Sequence, residues 1–207
     1  MTVGICGTYN GQNALLTCGH GNGKVGIIST RYPYISYAGS RIGQVSYQRA
    51  NLDSSETGVE SLGDFAIVTL NSDVSITNKI YGGLNVTGTY SSLPEGTTIY
   101  KYGKTSGLSY GTITQASISY AIDYSDGIMT TYYVRGLYKS SMQKSDGSDA
   151  IEPGDSGGPV YIKDGSNYLL HGIVTARQNP ADGEVASVMY STPIYYAIDA
   201  GFTVKTN

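Results

Sequence analysis

The sequence predicts an all-β protein. Three observations carry that expectation: short runs rich in β-branched and aromatic residues, glycine-containing turn signals between them, and a helical pattern near the C-terminal end alone. The 207 residues include 28 Gly and 20 Tyr but no Trp. Aromatic and β-branched side chains suit pleated sheets, and glycine suits the tight turns that join strands.

Strands are expected over 2–9, 13–18, 24–29, 42–47, 64–70, 97–102, 110–120, 130–138, 158–162, 168–175 and 185–191. Turn signals fall between them, among them Asn10-Gly11, Gly21-Asn22-Gly23, Pro94-Glu95-Gly96, Asp126-Gly127, Asp146-Gly147, Asp164-Gly165 and Asp182-Gly183. Runs this short and this regularly spaced point to a barrel or sandwich, not to alternating β and α units. The segment 83–96 is polar and turn-rich and reads as a connection between two halves. The helical pattern comes last: Thr192 as cap, Pro193 in the first turn, an apolar face of Ile194, Tyr195, Ala197 and Ile198, and Gly201 as the stop.

Composition narrows the function classes. The formal net charge is −3, from 13 Lys and Arg against 16 Asp and Glu, and there is no basic run. That balance argues against a nucleic-acid partner. No apolar stretch approaches the roughly 20 residues of a membrane-spanning helix, so no membrane partner is expected. No spaced set of His, Cys, Asp and Glu suggests a metal, and no cofactor is implied. A strand pattern begins within a few residues of Met1, with no leader ahead of it. This fits a secreted domain whose leader or pro-segment was removed, and it also fits a cytosolic protein.

Cys6 and Cys18 are the only cysteines. They flank the turn signal Asn10-Gly11-Gln12-Asn13. A three-residue turn there sets Cys6 opposite Cys18, so the pair reads either as a cross-strand disulfide or as two buried thiols. A bridge would brace His20, two residues further on.

The chemistry is concentrated in Pro153-Gly154-Asp155-Ser156-Gly157-Gly158-Pro159. A serine hydroxyl is a weak nucleophile until a base takes its proton. The carbonyl it attacks develops an oxyanion that needs preorganised N–H donors, and glycines on both sides of Ser156 let the backbone present them. A base is at hand. His20 ends Leu15-Leu16-Thr17-Cys18-Gly19-His20, an apolar strand running into a glycine-rich loop. Asp64 opens Asp64-Phe65-Ala66-Ile67-Val68-Thr69-Leu70, an almost wholly apolar strand. A carboxylate carried into a core needs a hydrogen-bonded partner, and a histidine N–H can serve.

The order His20, Asp64, Ser156 resembles that of the chymotrypsin-fold serine peptidases, and the chain is most similar to their shorter bacterial branch, the α-lytic protease and streptogrisin kind. Thr17-Cys18-Gly19-His20, Gly63-Asp64-Phe65-Ala66, Gly103-Lys104-Thr105-Ser106-Gly107 with Gly111-Thr112-Ile113-Thr114, the serine motif and Gly172-Ile173-Val174-Thr175 carry the resemblance. It implies two antiparallel β-barrels packed face to face, over about 1–88 and 89–207, followed by the C-terminal helix. It also implies a serine endopeptidase acting on peptides or proteins as a monomer. In this reading His20 is the general base, Asp64 holds its tautomer and Ser156 attacks. The amides of Gly154 and Ser156 form the oxyanion hole, and Thr175, Ala176 and Arg177 receive the substrate. Thr175 stands where relatives place a serine beside the triad aspartate. Arg177 replaces a glycine at the pocket mouth, Glu152 and Ser187 are further pocket candidates, and Lys101 or Lys104 pairs with Asp155. The rival expectations are a catalytically silent adhesin or decoy on the same fold and a tyrosine-rich sandwich that binds carbohydrate. His171 reads as a surface or edge-strand residue.

Overall fold

The computed structural model describes residues 1–22, 34–49, 60–80, 83–124 and 130–206. In chain order the strands are β1 (Ile5–Tyr9), β2 (Gln12–Thr17), β3 (Tyr34–Tyr37), β4 (Ser40–Arg49), β5 (Glu60–Leu62), β6 (Phe65–Leu70), β7 (Lys79–Ile80) and β8 (Leu84–Thr89). They continue as β9 (Thr98–Gly103), β10 (Gly107–Tyr124), β11 (Thr130–Gln143), β12 (Pro159–Asp164), β13 (Asn167–Arg177) and β14 (Val188–Pro193). The helix α1 (Tyr195–Asp199) and β15 (Phe202–Val204) complete the chain. The expected strand at 24–29 and the Asp126-Gly127 turn lie outside the described residues.

The architecture is all-β, as expected. One sheet has the order β15-β1-β2-β6-β4-β3. The other runs β12-β9-β10-β11-β14-β13-β8-β7, and β12 also pairs with β13, so six of its strands close into a ring. The stretch read as a plain connection holds β8, which joins this second sheet beside β13. No helix among the described residues is long and apolar enough to cross a membrane.

The unbroken apolar runs follow from burial on both faces. Leu16 and Ile67 point into a core shared with Tyr161, Leu170, Ile173, Tyr196 and Phe202. Their neighbours Leu15 and Val68 point the other way, against Ile35, Val45 and Val74. Side chains alternate along a strand, so a strand covered on both sides must be apolar at every position.

Of the two readings left open for the cysteines, the unbridged one holds: Cys6, half-buried, and Cys18, buried, form no disulfide. Two expectations need correction. The turn after β1 has two residues, not three: Asn10 at φ 49° and Gly11 at φ 77°, which pairs Tyr9 with Gln12 and sets Cys6 opposite Leu15. Two positive φ values in succession are what an Asn-Gly hairpin turn supplies. Thr192 does not cap the helix. Thr192 and Pro193 finish β14, and the helix begins after Ile194 with no side-chain cap. Its buried face holds Tyr196 and Ala197, while Ile198 is exposed.

His171 is fully buried, not on a surface or an edge. It stands in β13, which is flanked by β12 on one side and by β8 and β14 in succession on the other, inside the apolar run Leu169 to Val174. Its Nδ1 meets the Tyr90 carbonyl at 3.1 Å and its ring meets the edge of Tyr138. Nε2 is buried with no hydrogen-bond partner among the described residues. Burial pushes the imidazole down to about 4, against a smaller opposing pull from the Tyr90 carbonyl. The unfolded chain takes up a proton near pH 6.5 while the folded one resists until about pH 4, so stability falls with pH across that window and is flat below it. Urea melts at pH 7 and pH 4 should differ by about 3 kcal/mol from this group, and the difference should shrink in His171→Gln. An unchanged difference in that variant would count against the buried neutral histidine.

Candidate active site

Asp64 lies just ahead of β6 and is fully buried. Its Oδ1 accepts the backbone N–H of His20 at 2.9 Å, and its Oδ2 meets His20 Nδ1 at 2.5 Å. His20 opens a single 3₁₀ turn, His20–Asn22, directly beyond β2. Gln48 of β4 steadies the approach by donating to the Gly19 carbonyl at 3.0 Å. One carboxylate thus fixes both the backbone and the ring of His20. Burial opposes a charge on the imidazole, but the charge of Asp64 and the hydrogen bond to it, aided by Cys18, outweigh burial and raise its pKa well above the usual histidine value. With Nδ1 turned to Asp64, Nε2 is the nitrogen positioned to exchange a proton elsewhere.

The backbone of Asp64 is held separately. Its N–H donates to Thr192 Oγ1 at 3.0 Å, and Thr192 Oγ1 lies 2.7 Å from Thr175 Oγ1. Thr175 therefore reaches Asp64 through Thr192, a residue that sequence reasoning assigned to the helix. A register shift between Val174 and Ala176 breaks the β13–β14 ladder at this point. Bulges re-aim the groups they contain; here the Thr175 carbonyl accepts the Ser156 hydroxyl at 3.3 Å.

Ser156 sits on a turn pressed against the end of β2. A methyl group at Gly157 would lie 2.6 Å from the Thr2 carbonyl oxygen and 3.0 Å from the Cys18 amide nitrogen, and φ there is 87°. Only glycine fits so close an approach in that conformation. The contact brings the serine turn to within two residues, along the chain, of His20. Among the described residues the amides of Gly154 and Ser156 donate to no protein acceptor.

Asp155 anchors the turn from below. Its Oδ1 accepts the amides of Thr105 at 2.9 Å and Ser106 at 3.1 Å. Its Oδ2 accepts Lys101 Nζ at 2.7 Å, the Glu152 amide at 3.0 Å and the Ser106 hydroxyl. Lys101 and Asp155 are both fully buried. Burial works against each charge. It draws the Lys101 ammonium down, whereas for Asp155 the Lys101 and Ser106 hydrogen bonds prevail and hold the carboxyl below its ordinary range. Of the two lysines considered, Lys101 makes the pair. Lys104 is exposed and contributes its backbone amide, to Thr2 Oγ1 at 3.0 Å.

Along the cleft, Arg177 ends β13. Its carbonyl accepts Tyr120 Oη at 3.2 Å. Its Nη1 donates to the Ile151 carbonyl at 3.3 Å and stands 3.8 Å from Asp149 Oδ2. The guanidinium therefore spans from β13 to the segment leading into Ser156. Ala176 is half-buried opposite Tyr190. Glu152 is tied in through its backbone, and Ser187 lies just ahead of β14 with its carbonyl accepting the Met142 amide at 2.6 Å. No side-chain hydrogen bond joins Ser187 to the serine turn among the described residues.

The family model for trypsin matches residues 5–199. The chain belongs to the trypsin family. Its fold and family are those of proteolytic hydrolases. Among solved structures, the Nocardiopsis protease is 22% identical with a TM-score of 0.68, covering 99% of this chain and 92% of that one. The chymotrypsin of Cellulomonas bogoriensis is 20% identical with a TM-score of 0.65, covering 99% and 90%. Protease A of Thermobifida fusca is 20% identical with a TM-score of 0.65, covering 99% and 91%. At these identities the likeness is one of fold. No curated protein matches the chain.

Around this candidate site, sequence reasoning missed Thr2, Thr105, Ser106 and Thr192. The motif Gly103 to Gly107 did mark the segment holding Thr105 and Ser106, but spacing gave no sign that their amides and hydroxyls converge on Asp155 and the turn beside it.

Proposed function

We propose that this trypsin-family protein is a serine endopeptidase that cleaves through an acyl-enzyme, with His20, Asp64 and Ser156 as its triad. The observation that supports this most is the hold of buried Asp64 on both the amide and Nδ1 of His20. In the first step Ser156 Oγ turns from the Thr175 carbonyl, passes its proton to His20 Nε2 and attacks the scissile carbonyl. The amides of Gly154 and Ser156 donate hydrogen bonds to the resulting oxyanion. His20 then protonates the leaving amine, and water repeats the sequence on the ester. An extended substrate adds as a strand along Thr175 to Arg177.

The test is reaction with a fluorophosphonate, which modifies only an activated serine. One adduct on the peptide containing Ser156 is the expected result. An unmodified Ser156 in folded protein would overturn the reading and favour a catalytically silent binding module.

Arg177 is proposed to limit the size of the residue accepted before the cut. Its guanidinium donates to the Ile151 carbonyl, and the Ile151 side chain is buried in one apolar cluster with Ala150, Val174 and Met189. Arg177→Ala should raise kcat/KM for bulky side chains relative to alanine by about tenfold or more, the scale on which apolar pockets discriminate. An unchanged ranking in a peptide library would remove Arg177 from this role.

A further inference from the structure

We propose that Thr105 is a positioning residue, a hydroxyl arm from outside the catalytic turn that aims the oxyanion-binding amide of Gly154, while a second arm, Thr2, braces the same turn against the other sheet. The proposal rests on the assignment of the Gly154 and Ser156 amides to that task. In a trans peptide the C=O and the N–H point in opposite directions. Whatever holds a carbonyl therefore fixes where the next residue's amide points.

All five carbonyls from Glu152 to Ser156 are engaged. Two bonds are internal to the turn: the Asp155 amide to the Glu152 carbonyl at 3.1 Å and the Gly158 amide to the Asp155 carbonyl at 2.9 Å. Three come from elsewhere. Thr105 Oγ1 donates to the Pro153 carbonyl at 2.9 Å. Thr2 Oγ1 donates to the Gly154 carbonyl at 2.7 Å, and the Thr2 amide to the Ser156 carbonyl at 2.8 Å. The five bonds leave the amides of Gly154 and Ser156 without a protein acceptor among the described residues, which is the disposition an oxyanion hole requires.

Thr105 governs the more vulnerable of those two amides. The Pro153 carbonyl and the Gly154 amide share one peptide plane. Gly154 has no Cβ to bar rotation of that plane, and proline offers no N–H to resist it. The Thr105 hydroxyl is the side-chain group that holds the plane. Thr105 is itself fixed, because its amide donates to Asp155 Oδ1. Thr2 extends the clamp to the other sheet: its carbonyl accepts Thr17 Oγ1 at 2.9 Å, at the end of the strand that leads to His20. The two arms converge at Lys104, whose amide donates to Thr2 Oγ1.

The test compares Thr105→Val with the unaltered protein and with Thr105→Ser, which keeps the hydroxyl. Thr105 is exposed, so its variant should fold normally. Removing an oxyanion donor outright costs about 10²–10³ in kcat; loosening one should lower kcat by about tenfold to a hundredfold while KM stays within about twofold. Affinity for a peptide aldehyde, whose adduct carries the oxyanion, should fall in step with kcat, and affinity for a cleaved product peptide should not. Thr105→Ser should restore both. Thr114→Val, which removes an exposed hydroxyl bonded to the Lys139 carbonyl away from the turn, should behave as unaltered protein. If the unaltered protein turns over substrate and Thr105→Val matches it in kcat and aldehyde affinity, the clamp is wrong and the peptidase reading stands. If the unaltered protein neither turns over substrate nor binds the aldehyde, both fail.

Discussion

Ser156→Ala should lower kcat on a peptide substrate by about six orders of magnitude, because the members of a triad act as a unit and the loss of the nucleophile removes what all of them do together. KM should change little, since the strand at Thr175 to Arg177 and the segment around Ile151 are untouched. A residue of activity should remain, about 10³–10⁴-fold above water, from the oxyanion-binding amides and substrate binding alone. The hydroxyl is bonded weakly, at 3.3 Å to one carbonyl, so its removal should leave the melting temperature nearly unchanged. The measurement is single-turnover cleavage of a peptide alongside thermal melts. Retention of even a hundredth of the activity would mean that another group attacks.

Asp64→Asn should be nearly as damaging, at about 10⁴-fold in kcat, the size of loss that a mis-held imidazole causes in this family. The asparagine side chain fills the same space but offers an N–H where Oδ2 now faces His20 Nδ1, which favours the tautomer with its proton on Nε2. That ring cannot accept the serine proton. The pH profile should move as well. Burial alone would lower the pKa of His20, and the Asp64 charge is what raises it. With that charge gone, the acid limb of kcat/KM against pH should shift to lower pH. A profile that keeps its position would show that Asp64 does not set the basicity of His20.

The elements that carry these predictions differ in how far they could be read from the chain. His20, Asp64 and Ser156 stand in local patterns, an apolar strand ending at a glycine-rich loop, an apolar strand opened by a carboxylate, and a glycine-flanked serine, so each was legible without tertiary knowledge. Lys101 was legible as one of two candidates, and burial decided between them. Thr2, Thr105 and Thr192 were not legible. A threonine is ordinary in a strand or a turn, and its role here comes from a carbonyl or amide 48 to 152 positions away. The cysteine pair was left open between two readings, and the placement of the turn decides it: Cys6 faces Leu15, three positions short of Cys18, which no composition argument resolves. His171 was misplaced because a lone polar residue suggested exposure, although the apolar residues on both sides of it already spoke for a doubly covered strand.

The edge strand β15 has a kinetic meaning. Gly7, Thr8 and Tyr9 pair with Val204, Thr203 and Phe202, so the sheet that leads to His20 is sealed by residues made long after its first strand. On the ribosome that rim stays open until position 204 has emerged from the exit tunnel. Closing a loop of nearly two hundred residues is slow compared with forming a local hairpin. His20 and Asp64 are thus given a finished scaffold only after residues 202–204 have been made, which delays completion of the candidate site until the strands between are present.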